Sequence, residues 1–389
     1  MQLDPKTVEL SKIKQIELLA SARPDTVSLA QGIPSFDTPD EVKRFAIRAI
    51  EDGRVAKYSL APGLIELREA IEESLIKDSM HYDSEEEIIV TAGSIEAISA
   101  TMLALLQSGD EVILFSPSYV SYRQSILLAK AKPVYVPLDE EHEWSINFEA
   151  LLAALTSNTR VILICNPNNP TGSIFKKDDL LKIAQIAESR NLFVVLDEVY
   201  KDFIYDNRTF YSLATESKYR DRVIRVYSFS KAYAMTGWRI GYLHTSKELA
   251  RRILAVHDGL VTCAPVVSQY AALGALTLPA ASWQVYLGEY KARRDLLASY
   301  LDKIVGLTYT MPTASYFFFP KINRNVVNNY ADSETFALQM LSIAGVATVP
   351  GSAFGPSGED HLRLSFGRDR ETISKGMERM MTFFKSHAD

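Results

Sequence analysis

Cysteine is scarce in this chain: two residues in 389, Cys165 and Cys263, too few for a disulfide framework and both read as buried thiols. Histidine is scarce as well, with six residues dispersed along the chain. No His or Cys pair has the spacing of a zinc ligand set, so no metal is expected. No window approaches the roughly 18 uncharged apolar residues of a membrane helix, and residues 1–6 lack the apolar stretch of a signal peptide. The expectation is a cytoplasmic protein without a membrane partner. An excess of positive charge is also missing. Lys and Arg number 42 against 48 Asp and Glu, for a net charge of -6, and the basic residues are scattered, which argues against nucleic acid as a partner. No Gly-x-Ser-x-Gly elbow supports a serine hydrolase. No repeat, low-complexity tract or Gly/Ser linker divides the chain.

What is present is apolar and periodic. Hydrophobic residues make up 47%, enough for a sizeable core and, at this length, two domains. Short apolar or β-branched runs at 88–91, 112–115, 134–136, 161–165, 193–197, 223–227 and 240–243 alternate with helix-period segments. One such segment has Leu67, Ile71 and Leu75 four apart, and another has Ile95, Ile98, Met102 and Leu105. Strands apolar on both faces and separated by helices predict an α/β fold with a mostly parallel sheet covered on both sides. After about residue 280 the rhythm changes. A charged helix near 286–303, the run Ser315-Tyr-Phe-Phe-Phe-Pro320, a helix near 333–343, a strand at 361–366 and a last helix at 370–385 suggest a smaller α+β domain. The expected division is a large domain at 45–280 and a small domain made of 1–44 and 281–389.

In an open parallel sheet, ligands bind beyond the carboxyl ends of the strands. The chemistry-bearing residues fall there: Gly93-Ser94, Pro117-Ser-Tyr119, Asn166-Pro-Asn-Asn-Pro-Thr-Gly172, Asp197-Glu-Val-Tyr200 and Ser228-Phe-Ser-Lys231 each follow a run, and Arg239 comes eight residues after Lys231. A lysine at a strand end among hydroxyls can form a Schiff base with an aldehyde cofactor, and hydroxyls with an arginine fork suit a phosphate. Taken alone, Ser-x-Ser-Lys also describes a surface lysine after a strand. Asp197 closes an apolar strand, where a carboxylate needs a cation such as a protonated heterocyclic nitrogen, or caps the next turn. Gly93-Ser94 opens a helix whose free N–H groups favour an anion, or supplies a capping serine. Asn169 offers an amide from a rigid loop that is equally ordinary turn chemistry. Tyr119 and Tyr200 are ring-stacking and hydroxyl candidates, or core aromatics.

The order and placement of these motifs decide between the readings. The chain resembles a class I aminotransferase of the fold-type-I pyridoxal-phosphate enzymes, in the subgroup of prokaryotic aspartate and kynurenine-type aminotransferases. The resemblance runs from Gln31-Gly-Ile-Pro34 to Arg363 and is carried by Asn-Pro-Asn-Asn-Pro-Thr-Gly, Asp-Glu-Val-Tyr and Ser-Phe-Ser-Lys-Ala-Tyr-Ala-Met-Thr-Gly-Trp-Arg-Ile-Gly. It implies pyridoxal 5'-phosphate as cofactor, with Lys231 as the Schiff-base lysine and proton carrier, and with Asp197 on the pyridine nitrogen. Asn169 and Tyr200 would bond the ring oxygen, and Tyr119 would stack on the ring. Ser228, Arg239 and the backbone at Gly93 and Ser94 would hold the phosphate. Tyr58 from a neighbouring subunit would reach that phosphate, making a homodimer with shared sites. Arg363, with the backbone of Gly32, would clamp the substrate α-carboxylate. Tyr119 stands where the family often has Trp. Ile95 stands where aspartate-preferring relatives often carry a lysine, so aromatic or large neutral amino acids are the expected donors for transfer to a 2-oxo acid. Aspartate transamination, a C–S lyase on the same fold and a regulator's sensor domain are the alternatives. The last would need a basic DNA-binding head, and only about 30 residues precede Gly32.

Overall fold

The computed structural model describes residues 9–327 and 330–386, so residues 1–6, read above for a signal segment, lie outside it. The chain opens with α1 (Lys12–Ser21), β1 (Val27–Ser28), α2 (Asp40–Glu51) and α3 (Ile65–Lys77). An eight-stranded sheet follows, built from β2 (Ile88–Thr91), β3 (Glu111–Ser116), β4 (Lys132–Asp139), β5 (Ser145–Ile146), β6 (Thr159–Cys165), β7 (Phe193–Asp197), β8 (Val223–Ser228) and β9 (Gly241–His244). Their spatial order is β2-β9-β8-β7-β6-β3-β4-β5. Each expected run falls in one of these strands, and only Ile240 is left just ahead of β9.

The pairings β3–β4, β3–β6, β6–β7 and β7–β8 are parallel, whereas β9 runs antiparallel to both β8 and β2. Two reversals restore direction, so β2 points the same way as β8. The loops after β2, β3, β6, β7 and β8 therefore open on one edge, and the start of β9 joins them there.

The two-residue period of a strand sorts its side chains onto two faces. Leu114, Leu163, Val195 and Val226 belong to one buried cluster with Ile98 of α4 (Ser94–Leu105), Ile126 of α5 (Ser121–Leu128) and Ile253 of α9 (Lys247–Val261). Ile113, Ile164, Val194 and Val223 belong to a second cluster with Ile71 of α3, Leu151 of α6 (Phe148–Ala154), Ile183 of α7 (Lys177–Arg190) and Ala272 of α10 (Val266–Leu276). Both faces are thus covered, and each fully buried Leu, Ile or Val stabilises the fold by about 1.5–3 kcal/mol. The expected alternation lapses between β7 and β8, where the connection carries only the short turns Leu213–Thr215 and Ser217–Tyr219.

Beyond α10 come α11 (Ala280–Leu301), α12 (Ser333–Ala344) and α13 (Arg370–Lys385). The strand Leu362–Ser365 pairs antiparallel with Phe317–Phe318 and Val349–Pro350, and β1 pairs with Val346–Ala347. α13 has the bounds expected from its periodicity, while α11 starts six residues before the expected 286. Cys165 is buried as expected, but Cys263 is only half-buried, because it follows the end of α9, where the chain leaves the core.

Candidate active site

The loops at the carboxyl edge enclose a cavity of about 560 Å³. Of the residues singled out in the sequence, Gly32, Ser94, Tyr119, Asn169, Asp197, Tyr200, Ser228, Lys231, Arg239 and Arg363 line it. Tyr58 does not: it is 84% exposed and stands apart from the cavity.

The strand register fixes the floor. Cys165 is the cross-strand partner of Asp197, and alternation puts Asp197 on the face shared by Val195 and α5. From α5, the buried Tyr122 donates its hydroxyl to Asp197 Oδ2 at 2.7 Å, and the Val199 N–H donates to Oδ1 at 3.3 Å. No ion pair reaches Asp197 among the described residues, although it is only 3% exposed. Burial raises its carboxyl to about 6 against the Tyr122 and Val199 hydrogen bonds and the nearby Lys231 charge. A carboxylate buried with two donors and no cation is suited to one supplied by a ligand.

Lys231 sits in α8 (Phe229–Ala232), the short turn that β8 enters through Ser228. Its Nζ donates to the Gly32 carbonyl at 2.7 Å, and the Tyr316 hydroxyl donates to the same oxygen at 2.9 Å. Burial, then Arg363 and Arg239, lower this amine to about 7, with Asp197 opposing. An ordinary lysine near 10.4 is almost wholly protonated at neutral pH. Here the lowered value favours the free amine, the form that attacks a carbonyl.

At the other end of the cavity α4 begins. Its N-cap is Gly93, φ 84°, and no side chain caps the helix. The capping reading of Ser94 therefore fails, and the first N–H groups stay open to an anion. A Cβ on Gly93 would lie 2.5 Å from Arg239 Nη2, so glycine is what lets the guanidinium approach this helix start. Arg239 is held in the left-handed region at φ 54°. The Ser228 and Ser230 hydroxyls are hydrogen-bonded at 2.9 Å, and both line the cavity. Two hydroxyls, a guanidinium and a helix N-terminus make an anion cradle.

Asn169 ties the middle together. Its Nδ2 donates to the Tyr200 hydroxyl at 3.3 Å, and its Oδ1 accepts from Arg363 Nη1 at 3.2 Å. Arg363 is buried and also donates to the Ala30 carbonyl, yet its Nε has no partner. Burial lowers it to about 10, still charged at neutral pH. No acid pairs with it among the described residues, so this fork suits an incoming carboxylate. Gly32 is beside it in the cavity, but its carbonyl is already taken by Lys231 and Tyr316.

Residues not singled out as site candidates in the sequence also take part. Tyr122 could have been found as the aromatic three residues beyond Tyr119, one helical turn away. Ser230 is visible in the Ser-Phe-Ser-Lys motif but has no role assigned by it. Ile13, Lys14 and Glu17 of α1 also line the cavity, and their contribution comes from tertiary packing with no local signal.

Comparison with known proteins agrees with this geometry. Residues 24–380 match the family of class I and II aminotransferases. An aspartate aminotransferase of Pyrococcus abyssi is 38% identical over 96% of this chain and 95% of its own length. An aromatic-amino-acid aminotransferase of Thermococcus litoralis is 35% identical over 97% of this chain and 96% of its own. Among solved structures, an aromatic aminotransferase from Pyrococcus horikoshii OT3 superposes with a TM-score of 0.88 at 37% identity, covering 96% of this chain and 99% of that one. With the family spanning nearly the whole chain and its relatives aligned end to end, this protein belongs to the class I and II aminotransferases.

Proposed function

We propose that the cavity binds pyridoxal 5'-phosphate and transfers the amino group of an L-amino acid, aromatic and large neutral ones included, to a 2-oxo acid. The observation that carries this reading is Asp197, a buried carboxylate with no cation of its own, in the same cavity as a lysine amine lowered to about 7. When bound, the cofactor supplies an aldehyde for the amine and a ring that accepts electrons.

The chain's own residues do the rest. Asp197 would hold a protonated ring nitrogen, and Asn169 and Tyr200 would bond the ring oxygen. Tyr119 would lie against the ring face. Ser228, Ser230, Arg239 and the N–H groups at Gly93 and Ser94 would grip the phosphate. Lys231 Nζ would take the α-proton from the substrate and deliver it to the cofactor, which requires the neutral amine that its surroundings favour. Arg363 would bind the α-carboxylate with its guanidinium, with Gly32 alongside.

The same reading extends to the assembly. Tyr58 is a phenol left in solvent with Leu60 also exposed close by, as suits a residue completed by a neighbouring subunit, so the enzyme would be a homodimer with shared sites. The division into 45–280 and 1–44 with 281–389 would let the smaller part carry Arg363 and Gly32 onto the larger. Among the described residues no helix is long and apolar enough to cross a membrane, in keeping with a cytoplasmic enzyme.

The test is to load the purified protein with pyridoxal 5'-phosphate and add phenylalanine, methionine, kynurenine and aspartate singly, following the cofactor's visible absorbance. Amino transfer bleaches it, and a 2-oxo acid restores it. Lys231→Ala should abolish turnover by several orders of magnitude while leaving the fold intact. Near wild-type turnover by that variant would sink the assignment.

A further inference from the structure

Four cationic side chains line the cavity: Lys14, Lys231, Arg239 and Arg363. In the reading above, Lys231 serves the aldehyde and the α-proton, Arg239 the phosphate and Arg363 the α-carboxylate. Lys14 has no assignment. It lies in the first turn of α1 and is exposed at the cavity mouth.

No acid claims it among the described residues. Lys12, two residues earlier, is held by Glu334 at 2.7 Å. Glu17, one turn later, also lines the cavity and brings a negative charge, but its oxygens accept from Ser28 Oγ at 2.8 Å and Gln31 Nε2 at 2.5 Å, and no ion pair joins it to Lys14 among the described residues. Lys14 is also close enough for its charge to help depress the Lys231 amine. The apolar Ile13, Ile33, Ile95 and Phe317 also line the cavity.

We propose that Lys14 is the specificity residue for substrates with a second carboxylate, pairing with the distal carboxylate of a dicarboxylic 2-oxo acid or amino acid whose α-carboxylate lies on Arg363. Ile95 leaves its own position without a cation, and α1 supplies one from a different element. The apolar walls still accept an aromatic or large neutral side chain, and the flexible lysine stem turns its charge to water when such a substrate is bound. One pocket then serves both substrate classes. This rests on the transamination reading and adds to it the element that selects the acceptor. A pair at an exposed mouth is screened, so the effect is moderate, about twofold to fivefold in specificity.

The experiment uses the cofactor-loaded enzyme and its Lys14→Ala, Lys14→Glu and Lys14→Arg variants. It measures kcat/KM for 2-oxoglutarate and for phenylpyruvate with one common donor. It also measures equilibrium binding of glutarate and 3-phenylpropanoate through the cofactor absorbance. The ratio of 2-oxoglutarate to phenylpyruvate should fall about twofold to fivefold in Lys14→Ala, fall further in Lys14→Glu and be kept by Lys14→Arg. Glutarate binding should weaken in the same order. An unchanged ratio in Lys14→Ala and Lys14→Glu overturns the proposal, and so does an equal loss for both acceptors, which marks a structural role. A wild-type enzyme that turns over no acceptor refutes transamination itself, and the glutarate titration still decides whether Lys14 reads the second carboxylate.

Discussion

Replacing Asp197 by asparagine should make the cofactor-free chain more stable and the enzyme inactive. The carboxyl is 3% exposed and titrates near 6 rather than at 3.8, chiefly through burial. A carboxyl whose native pKa is raised contributes its stability below pH 3.8, where both folded and unfolded chains are protonated. It loses that stability as the pH rises through 6. At pH 8 the native state therefore carries a penalty of about 3 kcal/mol, at about 1.4 kcal/mol per pH unit. Asparagine has no charge at any pH and keeps an oxygen for the Tyr122 hydroxyl. Losing the charged acceptor for the Val199 N–H takes back about 1 kcal/mol, leaving a net gain of about 2 kcal/mol. Unfolding entropy scales with length, so this gain raises Tm by roughly 2–3 °C. The assay is thermal unfolding of cofactor-free wild type and Asp197→Asn from pH 4 to pH 8. The variant's stability relative to wild type should improve by about 2.4 kcal/mol across that range. With pyridoxal 5'-phosphate the order should reverse, since wild type gains a cation for its carboxylate, and turnover of the variant should collapse. A stability gap that does not change with pH would refute the reasoning, because it would mean that Asp197 carries no burial penalty for a cofactor to relieve.

Tyr122→Phe removes the stronger of the two donors to Asp197, a bond that holds the carboxyl down, so its pKa should rise further and the acid limb of the kcat/KM profile should move to higher pH; an unmoved limb counts against a positioning role. Gly93→Ala places a Cβ 2.5 Å from Arg239 Nη2 at a φ of 84°, and displacement of the guanidinium should weaken cofactor binding about tenfold or more in a titration of the cofactor-free enzyme. Wild-type affinity would show that the phosphate lies elsewhere. Mixing Tyr58→Phe and Lys231→Ala subunits should regain activity, because one site of the heterodimer carries neither change, whereas a fully active monomer in sedimentation would exclude shared sites.

Much of this was legible because strands and their loops are local. The runs ending at Thr91, Cys165, Asp197 and Tyr227 announce both the sheet and the edge where chemistry gathers. What sequence periodicity missed lies where a residue's partner is distant. Tyr122 looks like any helix aromatic until β7 brings Asp197 beside it, 75 residues along the chain. The helices Asp40–Glu51, Lys247–Val261 and Val266–Leu276 escaped notice, the last because a helix buried against α2 and α3 is apolar nearly all round and shows little period. Ile95 is plainly apolar in the sequence, but inferring a cavity without a spare cation required knowing what α1 brings to the mouth. At the start of α4 the sequence leaves two readings, an anion site and a serine cap, and the backbone decides between them by putting Gly93 in the cap position.

The antiparallel strand β9 has a broader consequence. Because it returns to the edge that β8 has just left, Ser228, Ser230, Lys231 and Arg239 belong to one short, continuous length of chain. That segment works as a jig: the spacing between the reactive amine and the anion cradle is set by local covalent geometry and is insulated from movement elsewhere. The groups that would face a substrate come instead from separate pieces, with Lys14 on α1, Gly32 and Ile33 after β1, Phe317 and Arg363 on neighbouring strands near the C-terminus. Substitutions in those pieces can change what is recognised without disturbing how it reacts, which gives a physical reason why relatives of similar identity bear the names of such different amino acids.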